Sequence, residues 1–196
     1  MPWPDPITLR GQHARLEPLS KEHRDGLMEA VKDGELYTIW YTAIPTPENV
    51  TREIDRRLGL QAAGSMLPFT VFDAAGQVVG MTTYMNIDAV NKRVEIGSTW
   101  YAKSVQRSPL NTECKLMLLG HAFERLDCIA VEFRTHRLNQ QSRRAIERLG
   151  AQLDGVLRAH QRGANGTLRD TAVYSITAAE WPTVKTHLQW QLAKPR

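Results

Sequence analysis

Apolar and polar positions change period several times along the chain, and each change marks an element. Ile7-Thr8-Leu9-Arg10 and Ala14-Arg15-Leu16-Glu17 alternate around Gly11, the two-residue period of a strand interrupted by a turn or bulge. Ser20 caps a helix reaching about Lys32, with Leu27, Ala30 and Val31 at helical spacing. The aromatic-rich stretch 34–46 holds Tyr37, Trp40 and Tyr41. Thr46-Pro47 then gives an N-cap with proline at the first helical position, opening a helix to about Ala63. Phe69–Phe72 and Gln77–Met81 flank Asp73-Ala74-Ala75-Gly76, a hairpin signal, and Arg93–Tyr101 continues an antiparallel meander. Leu116, Leu119, Phe123 and Leu126 predict a helix from about Pro109 to Leu126, its stripe widened by Met117 and Leu118.

Cys128–Phe133 reads as the next strand, and Asn139–Leu149 as a helix stopped by Gly150. A strand around Val156-Leu157-Arg158, a turn at Asn165-Gly166 and a strand from Arg169 to Ile176 follow. Thr177-Ala178-Ala179-Glu180 matches a capping box before the last helix. The order is β-α-α-β-β-β-α-β-α-β-β-α, with no repeat and no linker. It predicts one α+β domain over 1–196, with a short tail at 1–6 and a helical extension over 178–196.

Composition agrees with one globular domain: 196 residues, 42% hydrophobic and 23% charged. A chain of this size buries roughly 70% of its unfolded surface, enough to hold a core without disulfide or metal. Two cysteines, Cys114 and Cys128, make no disulfide framework, so a cytoplasmic protein is the expectation. No apolar run reaches the roughly 18 residues of a membrane span, and the first residues lack the pattern of a signal peptide.

The net charge of +4 is mild, but its distribution is uneven. Arg134, Arg137, Arg143, Arg144 and Arg148 face only Glu147 within fifteen positions, and arginine suits the geometry of phosphate. This stretch reads either as a phosphate-bearing anion's partner or as a solvated helix face. A nucleic-acid surface is disfavoured, because Phe133 is the lone aromatic there and base stacking needs several.

The six histidines never pair at ligand spacing with each other or with cysteine, so no metal site is expected. No nucleophile elbow, P-loop or dinucleotide glycine fingerprint occurs. Two segments carry candidate chemistry. From Thr99 to Glu113 a strand hands over to a helix, whose first N–H groups and dipole form an anion site beside Arg107. Ser108-Pro109 and Asn111-Thr112 are equally sound helix starts for purely structural reasons. In the second segment Asn139, Ser142, Arg143 and Ile146 share one helix face, although Asn139 is also a good N-cap.

Taken together, the chain resembles the GNAT acyltransferase superfamily, and within it the branch of ribosomal-protein N-acetyltransferases. The resemblance rests on Val94-Glu95-Ile96-Gly97, Asn111-Thr112-Glu113-Cys114-Lys115, His121-Ala122-Phe123-Glu124, Asn139-x-x-Ser142 and Glu147-Arg148-Leu149-Gly150-Ala151. It implies a mixed, mostly antiparallel seven-stranded sheet, flanked by helices and splayed between the fourth and fifth strands. Acetyl-CoA, the acyl donor, is expected in that wedge. The resemblance places its pantetheine along Thr99, Trp100 and Tyr101, and its pyrophosphate on the loop Gln106, Arg107, Ser108, Leu110, Asn111 and Thr112. Asn139 and Arg143 complete the cofactor residues. The chain departs from the family at Pro109, where a glycine is usual. Proline offers no N–H, a loss of about 1.5–3 kcal/mol for a bond to a charged group.

The reaction so implied is direct transfer of an acetyl group to a primary amine. Ser142 matches the serine that protonates the departing thiolate, and Glu95 is the first candidate for the base. A structural carboxylate paired with an arginine is the other reading of Glu95. Tyr37, Trp40 and Tyr41, with the turn from His160 to Arg169, are where contacts to the acceptor are expected. That acceptor is an amine on a protein N-terminus, a peptide or a small molecule. Two other readings stay open: a module that binds CoA without turnover, and a transferase of a larger acyl group such as succinyl. The apolar residues from Trp181 to Trp190 offer a surface for a homodimer.

Overall fold

The computed structural model describes residues 3–163 and 165–194. Its strands are β1 (Leu9–Arg10), β2 (Ala14–Pro18), β3 (Met66–Asp73), β4 (Val78–Asp88), β5 (Arg93–Tyr101), β6 (Ala130–His136), β7 (Gln152–Arg162) and β8 (Leu168–Thr177). The helices are α1 (Arg24–Lys32), α2 (Val50–Ala62), α3 (Leu110–Glu124), α4 (Gln140–Glu147) and α5 (Trp181–Ala193). One open sheet runs β1-β2-β3-β4-β5-β6-β8-β7, antiparallel at every step except β5–β6. The sheet has eight strands rather than seven, because the turn at Gly11 separates two paired strands where sequence reading counted one. The expected split between fourth and fifth strands therefore falls at β5 and β6.

The register assigns residues to the two faces. Tyr84 opposes Ile96, and its hydroxyl donates to the Leu118 carbonyl of α3, so α3 covers the Tyr84–Ile96 face. Phe133 and Tyr174 continue that face, and Arg143 of α4 reaches the Tyr174 hydroxyl. Glu95, Thr83, Arg134 and His136 lie on the other face, where α2 sends Arg57 to Thr83.

Helix α3 buries Cys114, Leu118, Leu119 and Ala122, whereas Leu116, Phe123 and Leu126 are only partly covered. The expected stripe is thus rotated by about one position. The Glu113 carboxylate on this helix accepts the backbone N–H groups of Gln12, His13 and Ala14 at 2.8, 2.6 and 2.7 Å, clamping α3 to the β1–β2 turn. A side chain on Gly11 would meet that carboxylate at 2.4 Å. The capping box forms in part: Glu180 accepts from the Thr177 N–H at 2.8 Å before α5 begins. Within the segment expected as a short tail, Pro4 is buried and Lys92 lies 5.7 Å over the Trp3 ring.

Candidate active site

Strands β5 and β6 pair only at Arg93↔Ala130, Val94↔Val131 and Glu95↔Glu132, yet β5 continues to Tyr101 and β6 to His136. Beyond Glu95 the two strands diverge. The edge of β5 from Ile96 to Tyr101 then presents ladder groups with no strand beside them, which is what an extended amide-bearing ligand requires. Within this edge the register slips between Thr83↔Gly97 and Met81↔Trp100, and Ser98 takes a left-handed φ of 47°. This is a β-bulge, a device that re-aims backbone groups.

The bulge is held from beneath. Arg57 is 2% exposed, and each part of its guanidinium is committed. Nε donates to Glu53 at 2.7 Å, Nη1 to Thr83 Oγ1 at 2.7 Å and Nη2 to the Ser98 carbonyl at 3.0 Å. Because the 98–99 peptide is trans, fixing that carbonyl also fixes the opposed N–H of Thr99. On the α3 face, Lys115 donates to Thr99 Oγ1 at 3.2 Å, and Thr99 shares a 2.8 Å bond with Thr82. Burial lowers the Lys115 ammonium to about 8 against the opposing influence of Cys114. Sequence reading missed Arg57 and Lys115, since a charged residue on a helix normally faces water. Trp100 Nε1 is buried with no hydrogen-bond partner among the described residues.

The other end of the wedge is the loop from Lys103 to Pro109 and the start of α3. Gln106 Nε2 donates to the Tyr101 carbonyl at 3.1 Å, tying the loop to the strand. Arg107 has a left-handed φ of 60°. The Ser108 hydroxyl donates to the Val105 carbonyl at 2.6 Å and accepts from Leu110 N–H at 3.3 Å, bracing the loop against the start of α3. Pro109 precedes the helix as its N-cap, leaving the N–H groups of Asn111 and Thr112 among those without intrahelical partners. Thr112 is buried, and Arg148 Nη2 donates to its hydroxyl at 3.3 Å.

Strand β6 leads directly into α4, which places Asn139 and Ser142 at the open end of the wedge. Asn139 does cap the helix, its Oδ1 accepting from Ser142 N–H at 3.1 Å, while its two amide donors play no part in that cap. Ser142 is half-buried in the first turn. Arg143 is anchored by its Nε on the Tyr174 hydroxyl at 2.8 Å, and that hydroxyl donates to Glu147 at 2.7 Å.

At the fork itself sits Glu95, 5% exposed. Asn86 Nδ2 donates to its Oε2 at 2.6 Å, and Arg134 Nε lies 3.6 Å away. Burial pushes its carboxyl above the usual glutamate range. Asn86, Arg134 and Arg169 oppose that shift and Glu132 reinforces it. Glu95 thus combines a partner arginine with a buried carboxyl held above its ordinary value.

The segment before α2 reaches over the end of β6. Trp40 and Tyr41 ring centroids lie 5.3 and 5.7 Å from that of His136, and 5.4 Å from each other. Tyr37 instead packs against the core. His136 accepts the Leu138 N–H on Nδ1 at 3.0 Å, so the proton of its neutral form is on Nε2 and the ring is a donor. Burial, with Arg169 and Arg137, lowers its value, against Asp170. The basic stretch is divided among partners: Arg134 pairs with Glu132 at 2.9 Å, Arg137 with Asp170 at 3.3 Å, and Arg148 donates to Gln191 at 2.7 Å. Among the described residues no helix is long and apolar enough to cross a membrane, and no cluster of His, Cys, Asp or Glu could hold a metal. Of the turn from His160 to Arg169, Ala164 lies outside the described residues.

Comparison with known proteins places this geometry. The chain is 33% identical over 106 residues to a Bacillus subtilis (strain 168) protein named "Putative ribosomal N-acetyltransferase YdaF", a match spanning 54% of the chain and 57% of that relative. A GCN5-related N-acetyltransferase from Brucella melitensis superposes with a TM-score of 0.86 at 31% identity, over 96% of this chain and 86% of that one. Mycobacterium smegmatis RimJ, solved with CoA-disulfide, shares the fold at a TM-score of 0.78 and 21% identity, over 96% and 95% of the two chains. The acetyltransferase (GNAT) domain profile matches residues 13–152, which contain the sheet fork, the start of α3 and Asn139. The chain belongs to the GNAT acetyltransferase family.

Proposed function

We propose that this protein transfers an acetyl group from acetyl-CoA to the primary amine of a protein N-terminus or peptide. The observation that carries the reading is the end of β5–β6 pairing at Glu95, with a helix N-terminus at the far end of the exposed strand edge. Binding of CoA-disulfide by the RimJ neighbour and the ribosomal designation of the curated relative support donor and acceptor class. Acetyl-CoA supplies an activated thioester. Ile96 to Tyr101 would orient its pantetheine as a further strand, the α3 start would take its phosphates, and the Asn139 amide would donate to the pantetheine arm. Glu95 would accept a proton from the amine, directly or through water. The Ser142 hydroxyl would donate one to the departing sulfur.

Calorimetry with acetyl-CoA tests the donor half. Binding should be measurable for the parent and about tenfold weaker for Asn139→Ala, the value of one or two lost hydrogen bonds. For Ser142→Ala, turnover should fall about 10–100-fold with little change in that affinity. No heat from the parent protein would end the reading, and equal turnover would remove Ser142.

Pro109 favours one rival, a CoA-binding module without turnover. Thiol release across a panel of amines decides between them. Pro109→Ala restores an N–H at the same helical φ. It is expected to tighten acetyl-CoA binding about tenfold, as one added bond to phosphate would. Unchanged affinity would show that phosphate does not reach this position.

A further inference from the structure

We infer that the acceptor carries a carboxylate close to its reacting amine, and that Arg169 binds this group; the inference rests on the acetyltransferase reading. Strand β8 outruns β6: their last pair is His136↔Thr171, and Arg169 stands one step further on the same face as His136 and Glu95. This end of the sheet is rich in charge, and Arg134, Arg93, Arg137 and Arg158 have counter-ions. Arg134 is shared by Glu132 at 2.9 Å and Glu95 at 3.6 Å, Arg93 pairs with Glu132 at 2.5 Å, and Arg137 and Arg158 converge on Asp170 at 3.3 and 3.2 Å.

Arg169 is different. Its guanidinium makes no hydrogen bond or ion pair among the described residues, and its Nε is buried without a partner. Glu95 lies within its electrostatic reach, but that carboxylate is engaged by Asn86 and Arg134. A guanidinium whose Nε is buried without a partner is costly, and a planar carboxylate arriving at the site relieves the cost with matched geometry. The approach is lined by Trp40 and Tyr41 against His136, which gives apolar walls to a small peptide-like ligand. A serine-aspartate N-terminus or a free amino acid has the required chemistry: an amine for Glu95 and an acid a few bonds away for Arg169.

The test uses product peptides, so that it does not depend on turnover. Protein saturated with CoA is titrated calorimetrically with N-acetyl-Ser-Asp-amide and N-acetyl-Ser-Asn-amide. The acidic peptide should bind at least tenfold more tightly, the preference should fall within twofold in Arg169→Gln, and Arg169→Lys should lie between. CoA affinity reports that each variant is folded. Arg158→Gln, which removes an exposed arginine already paired with Asp170, should keep the preference. Equal binding of both peptides by the parent, a preference that survives Arg169→Gln, or its loss in Arg158→Gln would overturn the inference. Failure of the enzyme reading looks different: no amine in the panel is acetylated, although the binding preference is intact.

Discussion

Glu95→Gln is expected to lower kcat at least 100-fold, the range lost when a general base is removed, while acetyl-CoA affinity changes less than twofold. The substitution keeps shape and can still accept from Asn86, so the loss isolates proton transfer. The stability prediction has the opposite sign. Burial raises the Glu95 carboxyl, so between the ordinary glutamate value and the raised one the folded state holds more proton than the unfolded chain. Stability contributed by this group is therefore fully present below the ordinary value and declines as pH rises through the interval. At neutral pH the glutamine variant should melt no lower than the parent. The acid limb of the kcat profile should sit above the normal carboxylate range and vanish in Glu95→Gln. A variant that retains kcat within threefold would reduce Glu95 to the structural partner of Arg134.

Much of this architecture was legible because local pattern and tertiary environment agree. The extended run Arg93–Tyr101 has the same bounds as β5, and the caps near Pro109 and Asn139 locate α3 and α4 within about two positions. Legibility failed where that agreement breaks. Strand β7 spans Gln152–Arg162, but register slips between Leu153 and Gly155 and between Leu157 and Gln161 scramble its period, so only its centre was read. Strand β4 runs on to Asp88 through Thr82 and Thr83, buried polar residues that look like a loop.

In the site, the strand edge and helix start follow from spacing together with family resemblance. Arg57, Lys115, His136 and Arg169 do not, because their significance lies in partners distant in the chain, from 16 positions for Lys115 to 96 for His136, or in the lack of one. Nothing local separates Arg169 from Arg158. Only the register of β8 against β6 puts Arg169 on the Glu95 face, within its electrostatic reach.

The same reasoning makes Arg57→Ala the most disruptive single change away from the reacting groups. It leaves the Glu53 carboxylate, whose side chain is 14% exposed, to Arg56 alone, and deprives Thr83 and the Ser98 carbonyl of their buried charged donor. Breaking such a pair costs about 3–5 kcal/mol, a fall in Tm of about 10 °C for a domain of this size. Burial raises the Glu53 carboxyl, but its bonds to Arg56 and Arg57 outweigh this and set it below its usual value. The pair's contribution is thus present above the unfolded glutamate value and lost as pH falls through the depressed one, so the Tm gap between parent and variant should narrow in acid. Because the guanidinium also fixes the bulge, acetyl-CoA affinity and kcat should fall together by about tenfold at temperatures where the variant is fully folded. Arg57→Lys keeps the charge but cannot address three acceptors at fixed angles, and should restore more of the Tm than of the activity. If Tm falls and both kinetic quantities stay at parental values, Arg57 holds α2 to the sheet and nothing more; if they fall in step, the shape of the wedge is set from below by one buried cation.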